Sequence, residues 1–395
     1  MTFLRNVRIA DGSDPRVTRK VDIELDGANI AAITEAAGQV AEGDIDGRGL
    51  FAIPGAVNTH AHVDKSWWGR DWQSYGGENT LDGRIQHERA RRGELGIPGV
   101  DVTSQVLEQF VLHGTTAMRS HVDVDPGIGL TGLEVVREAV AKVAPDMLFE
   151  LVAFPQDGVL RRDGVDELLR VAAREGLAEH IGGLDPAGID RDPVGQLDLL
   201  FEIAEETGCG IDIHLHDGES LGGFQFELIL DRVEALDLKG KVTIAHGLAL
   251  GGLPARQQES IIARMAEGDV SLTTVAPAYV APLPRRLLRE AGVRVGFGTD
   301  GIRDLWSPYG DGDTLRIALN YARMSGTRYD EELVEVLDWA TGAAHTFVGG
   351  QPTGIKPGER ADIVLLDAEN PMDALVRAPR REMVLLAGKL AYSLR

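Results

Sequence analysis

Between residues 56 and 299 the chain repeats one unit: an amphipathic helical segment, a glycine, then a short apolar run. The glycines fall at Gly114, Gly176, Gly208, Gly240, Gly268 and Gly292. A glycine just past a helix supplies the left-handed cap that turns the chain into the next strand. The spacing predicts strands over residues 56–62, 115–122, 148–154, 180–184, 210–216, 242–247, 269–275 and 294–299. Strands alternating with helices predict an α/β fold with a parallel sheet. Eight such units predict closure into a (β/α)8 TIM barrel. An open doubly wound sheet is the alternative, and the glycine-rich dinucleotide turn it needs is missing from the sequence.

The two ends read differently. Residues 3–53 alternate as short strands broken at Asp11-Gly12, Asp26-Gly27 and Asp46-Gly47, dipeptides suited to hairpin turns. From Gly354 to Leu394 the character is the same, with strands expected over 361–366 and 383–386. We expect both ends to build one small β-sandwich domain, 1–54 with 352–395, flanking a barrel over 55–351. A chain of 395 residues buries enough core to need no covalent staple.

Its single cysteine, Cys209, excludes an internal disulfide and fits a cytoplasmic location. Met1 to Asp11 alternates apolar and charged residues, unlike a signal peptide. No apolar run reaches spanning length. A formal net charge of -22 opposes binding to nucleic acid or anionic membranes. The expected partner is a small molecule, and assembly as a homo-oligomer is compatible with the composition.

His60-Ala61-His62 closes the first barrel strand, and alternation along a strand projects both imidazoles to one side. His214 ends the fifth strand, His246 the sixth and Asp300 the eighth, so all converge at the carboxyl-terminal mouth where barrel enzymes keep their sites. His60, His62, His214 and Asp300 are the expected ligands of one divalent metal ion. Imidazole with carboxylate suits Zn2+ or ferrous iron, and an open water position makes such a site catalytic. A binuclear centre bridged by lysine at the fourth strand is excluded, because no lysine lies between Lys142 and Lys239. Asp185 is the carboxylate nearby, read as a turn residue or substrate contact. His216 alternates with His214, which points it toward the same site.

At these residues the chain resembles the amidohydrolase superfamily nearly end to end: Ile53-Pro54-Gly55 precedes the His-x-His, and Gly354-x-x-x-Pro357-Gly358-x-x-Ala361-Asp362 closes the chain. Within it, Arg119 to Val124 and Val152 to Gly158 resemble cytosine deaminase. Asp64-Lys65-Ser66, Gly182 to Ala187, His214-Leu215-His216-Asp217 and Asp300 to Trp306 are more similar to the triazine-degrading N-isopropylammelide isopropylamidohydrolase sub-branch.

The resemblance implies a deaminase-like aminohydrolase acting on a pyrimidine or triazine-like ring, with cytosine or isocytosine deaminase as the alternative. A non-catalytic barrel used for binding is the rival from another class. Where cytosine deaminases carry a proton-shuttling glutamate, this chain has Asp217, one methylene shorter, with Glu219 as a substitute. Gly301 follows Asp300 where those enzymes have a second aspartate, which counts against cytosine. Gln156 is expected to read a cyclic amide edge, Lys65 to hold a substrate oxygen, and Trp306, rather than Trp67 or Trp68, to stack on the ring.

The implied mechanism has Asp300 or His246 deprotonate a water, His246 stabilise the oxyanion, and His216 or Asp217 protonate the departing amine.

Overall fold

The structure, a computed structural model, describes residues 2–12 and 14–394. Met1, at the head of the N-terminal segment read above, lies outside them together with Ser13 and Arg395.

Parallel strands follow one another around the barrel in chain order: Ala56–His62, Thr115–Asp123, Leu148–Phe154, His180–Leu184, Gly210–His214, Val242–Ala245, Ser271–Thr274 and Val295–Phe297. A final two-residue segment, Asp300–Gly301, continues the eighth strand after a break and pairs with the first, Asp300 opposite Ala61 and Gly301 opposite His62. The sheet thereby returns on itself, and helices such as Val100–Leu112 and Pro193–Thr207 cover it. Leu107, Phe110, Leu169, Phe201 and Phe226 lie fully buried in the shared core.

The closing strand needs its glycines. A Cβ on Gly296 would lie 2.4 Å from Thr59 Cγ2, and one on Gly298 2.4 Å from His60 Cβ. Two bare backbones at this point let the eighth strand press against the strand that carries the His-x-His.

Strand starts agree with the sequence to within two residues, but the fifth, sixth and eighth strands end two residues early, at His214, Ala245 and Phe297. The sixth stops because His246 turns left-handed, with φ 67°. Of the six predicted cap glycines, Gly268 departs from expectation: its φ is -83°, and Asp269 takes the left-handed turn instead, with φ 48°. Gly268 is needed for closeness, since a Cβ there would meet Val233 Cγ1 at 2.9 Å.

The chain ends share a second, mixed sheet. Ile363–Leu366 runs antiparallel to Phe51–Pro54 and joins the C-terminal strands to the N-terminal meander. Leu4, Val21, Ile23, Ile363 and Leu385 fill its core. Two elements go beyond the sequence reading: a strand over Lys389–Ser393 and a helix over Pro371–Arg377, capped by Asn370. Among the described residues no helix is long and apolar enough to cross a membrane.

Candidate active site and metal centre

Alternate residues of the barrel strands point inward, and toward the carboxyl ends of the first, second and fifth strands those residues are histidines, with His246 just past the sixth. The His60 ring lies 4.2 Å from that of His121, 4.6 Å from His214 and 4.7 Å from His246, centroid to centroid. His62 Nε2 is 3.3 Å from His214 Nε2 and 3.3 Å from Asp300 Oδ1. His60 Nε2 is 3.7 Å from the same carboxylate oxygen. Two overlapping donor groups result, His60 with His62, His121 and His214, and His60 with His246 and Asp300, each with its donor atoms within 4.8 Å of one another.

These side chains fit a divalent cation on their own chemistry. Both ring nitrogens of His60, Nδ1 of His62 and His214, and Nε2 of His246 are buried without a hydrogen-bond partner among the described residues. Buried polar atoms left so are costly, and several converging imidazole lone pairs are what such an ion binds. Burial also holds His62, His214 and His246 well below the ordinary histidine value and His121 down at about 4, so the rings stay in the neutral, coordinating form. Enclosure acts upward on Asp300, but His60, His246 and His62 outweigh it and keep the carboxyl well below the usual range. The set is four neutral imidazoles, a fifth beside them, and one carboxylate.

Above the cluster opens a cavity of about 300 Å³, matched to one small ring. On one wall Lys65 Nζ donates to Asp123 Oδ1 at 2.6 Å and to Gln156 Oε1 at 2.9 Å. Burial opposes the lysine's charge, but Asp123, Glu88 and Asp64 outweigh that and raise its pKa. Opposite, His216 Nδ1 is 2.8 Å from Asp185 Oδ2. Burial disfavours the imidazolium there, yet Asp185 prevails and the His216 pKa is raised. Asp304 completes the lining, its Oδ1 accepting from the backbone N–H groups of Trp306 at 2.8 Å and Ser307 at 2.6 Å. Burial pushes its carboxyl up to about 7.

Asp304 also accounts for Gly301. A Cβ at position 301 would fall 1.6 Å from Asp304 Oδ2, so this carboxylate fills the space a second aspartate after Asp300 would take.

The expected residues are thus largely brought together: His60, His62, His214, His246 and Asp300 form the cluster, while Lys65, Gln156, Asp185, His216 and Trp306 face the cavity. Trp306 Nε1 donates to Glu88 on the helix Leu81–Leu95. Asp217 is elsewhere. Its Oδ2 accepts from Gln225 Nε2 at 2.8 Å and from Gly188 N at 3.1 Å, so the shorter side chain ties two loops together instead of reaching the cavity. Glu219 is exposed at the start of the next helix. Trp67 is packed with Leu95, Ile97, Val102 and Leu305, and the Arg303 guanidinium lies 4.1 Å over its ring and 5.3 Å over that of Trp68.

Sequence reasoning passed over His121, Asp123 and Asp304. Alternation carried the signal for the first two, since Arg119, His121 and Asp123 share one side of the second strand just as His60 and His62 share one side of the first. Glu88 had no such signal. Beneath the cluster, Asp212 stands 3.3 Å from His121 Nε2 and 3.1 Å from Arg119 Nη1, two residues before His214 on the same inward face.

The Amidohydrolase family profile matches residues 100–392. N-isopropylammelide isopropylaminohydrolase from Burkholderia multivorans ATCC 17616 superposes with a TM-score of 0.89 at 39% identity, covering 98% of this chain and 97% of that one. N-isopropylammelide isopropyl amidohydrolase of Pseudomonas sp. (strain ADP) is 27% identical over 383 residues, 93% of each chain. The 5-methylcytosine deaminase of Klebsiella pneumoniae liganded with 5-fluorocytosine shares the fold, with a TM-score of 0.84 at 23% identity over 100% of this chain and 98% of that one. With its inward-facing histidine cluster and a profile match over most of its length, the chain belongs to the amidohydrolase family.

Proposed function

We propose that the chain is a metal-dependent aminohydrolase that replaces an amino or alkylamino group on a small triazine- or pyrimidine-like ring by a carbonyl oxygen. The observation that carries this reading is the pairing of the buried histidine–Asp300 cluster with a ring-sized cavity walled by hydrogen-bonding side chains. The likeness to two N-isopropylammelide-hydrolysing enzymes supports an N-alkylamino triazine as substrate.

His60, His62, His214 and Asp300 would hold one Zn2+, with His121 beside them as a further donor. When bound, the cation supplies Lewis acidity that brings water toward hydroxide at neutral pH. Asp300, ionised, takes a proton from the water nucleophile at a carboxylate oxygen. The new bond forms at the ring carbon bearing the amine, and His246 donates a hydrogen bond to the oxygen there. His216, protonated through Asp185, delivers a proton from Nε2 to the amine nitrogen as the carbon–nitrogen bond breaks. The hydroxyl proton passes to the adjacent ring nitrogen and the proton held by Asp300 returns to His216, so that water and substrate become a ring carbonyl and a free amine. Asp217, engaged with Gln225 and Gly188, has no part in this relay. Asp185 serves the proton rather than the ring, Trp306 faces one side of the ring, and Lys65 with Gln156 holds its polar edge. A cytoplasmic setting fits the lone, partly buried Cys209 thiol.

The test is amine release from cytosine, isocytosine, ammelide and N-alkyl ammelides by metal-replete protein, with a chelator control. Release from the triazines is expected. Turnover of cytosine alone would favour the cytosine deaminase alternative, and silence across the panel would remove the substrate assignment.

A further inference from the structure

The segments that follow the fourth and fifth strands carry Asp185 and His216, and both are tied to one buried side chain. Gln225, in the helix Glu219–Ala235, is fully enclosed. Its Oε1 accepts from the Ala187 backbone N–H at 2.9 Å, and its Nε2 donates to Asp217 Oδ2 at 2.8 Å and to the Leu221 carbonyl oxygen at 3.3 Å. Asp217 Oδ2 accepts in turn from Gly188 N at 3.1 Å. One amide and one carboxylate therefore bridge the two segments. The approach is close enough to need bare backbone: a Cβ on Gly188 would lie 2.8 Å from Asp217 Oδ1, and one on Gly222 2.0 Å from the Asp217 carbonyl oxygen.

Asp185 sits inside this bridge. Its Oδ1 accepts from the backbone N–H groups of His216 at 2.5 Å and Asp217 at 3.1 Å, while Oδ2 faces His216 Nδ1. Its backbone is left-handed, with φ 32°, a conformation that a residue other than glycine keeps only where its surroundings hold it. The His216 side chain is 40% exposed and lies outside both strand and helix. Its direction depends on Asp185 and on the His246 ring, 4.2 Å away between centroids.

We infer that Gln225 and Asp217 form a clamp that sets the His216–Asp185 pair, which makes them positioning residues for delivery of the proton to the departing amine. Neither is among the residues that line the cavity. The inference rests on the aminohydrolase reading for what His216 delivers, whereas the clamp itself belongs to the fold. Proton delivery requires hydrogen-bond reach, and a displacement of about 1 Å costs about 10²-fold in rate.

Substitution at position 217 separates a clamp from a proton shuttle. Asp217→Asn keeps an oxygen that can accept from both Gly188 and Gln225 but cannot exchange a proton. Asp217→Ala removes the acceptor, and Gln225→Met removes the amide at similar size. Hydrogen–deuterium exchange of metal-replete protein, read by mass spectrometry, should quicken over residues 185–188 and 216–217 in Asp217→Ala and in Gln225→Met, and stay near the parent rate in Asp217→Asn. With an N-ethyl ammelide, kcat should fall about 10²-fold in the first two at little-changed KM and metal content, while Asp217→Asn keeps most of its turnover. The loss should be smaller with the N-trifluoroethyl compound, because a weakly basic amine departs with less help from an acid. Asp217→Asn as impaired as Asp217→Ala, unchanged exchange in both segments, a loss carried by KM, or one equal for the two amines would overturn the inference. Parent protein whose exchange responds as stated but which releases no amine from any ring would instead count against the proposed activity and leave the clamp standing.

Discussion

His216 and Asp185 face each other across 2.8 Å, and the Asp185 carboxylate raises the pKa of the imidazole against the opposing effect of desolvation. Asp185→Asn retains a hydrogen-bonding partner of the same size but removes that charge. The His216 pKa should then fall, so less of the proton donor survives as pH rises. Turnover is expected to drop by about 10²- to 10⁴-fold, with the alkaline limb of the pH–rate profile moved to lower pH and metal content unaltered. A lower rate with an unmoved limb would assign Asp185 a merely structural part.

His121 makes a second claim at this scale. It belongs to the buried donor group and rests over Asp212, so His121→Asn should weaken metal binding by about 10- to 100-fold, as measured by competition with a chromogenic chelator. His60 and His62 stood out because two histidines flank one residue, whereas His121 is a lone histidine between a serine and a valine. Its membership follows from the strand's inward face, which Arg119 and Asp123 share. Asp217 misled in the opposite direction: its place after the fifth strand suggested a proton shuttle, and nothing in the residue type revealed that Gln225, eight positions on, would claim its carboxylate.

Among the elements, the barrel strands were legible because each is a short apolar run bounded by a cap glycine, and length arbitrates such runs. Their carboxyl ends were less so. Asp185, His246 and Asp300 take left-handed backbone conformations, with φ 32°, 67° and 60°, and each residue outside glycine that does this costs about 1–3 kcal/mol. A turn made by strained site residues carries no glycine or proline to announce it, which is why the sequence of the sixth strand reads on to residue 247. The C-terminal helix was hidden for another reason: at seven residues, Pro371–Arg377 is too short for periodicity to register, although Asn370-Pro371 is a start signal.

The break in the eighth strand yields a prediction of its own. Gly298→Ala would set a methyl group 2.4 Å from His60 Cβ and 2.5 Å from the His60 carbonyl oxygen. Backbone and a ligand side chain must both shift. Overpacking of this kind costs about 1–3 kcal/mol, and we expect a lowered melting temperature together with reduced metal affinity. Gly252→Ala, where no atom lies within 4 Å of the added carbon, is the matched control and should change neither.

For the whole molecule, buried neutral histidines set the response to acid. His121 and His345 are both held at about 4 by burial, against 6.5 for the free side chain. The unfolded chain therefore binds more protons than the folded one between these values, and stability falls as pH is lowered through that window by up to about 1.4 kcal/mol per pH unit for each such group. Denaturant melts of metal-free protein from pH 7 to pH 4 should record a steady loss. Bound metal holds the cluster histidines deprotonated and stabilises the folded state by mass action, so the metal-loaded protein should melt higher and the gap between the two forms should close in acid. A gap independent of pH would mean that the metal binds elsewhere.

If the histidine–Asp300 cluster holds a metal ion used to release amine from a nitrogen heterocycle, metal and activity must come and go together. Bound metal and amine release from an N-alkyl ammelide are measured in one preparation, before chelation, after it, and after zinc is restored. One metal per chain is expected, with release that disappears with the metal and recovery of both together. Protein that carries its full metal and releases no amine from any ring, or that releases amine equally well without metal, would contradict that expectation.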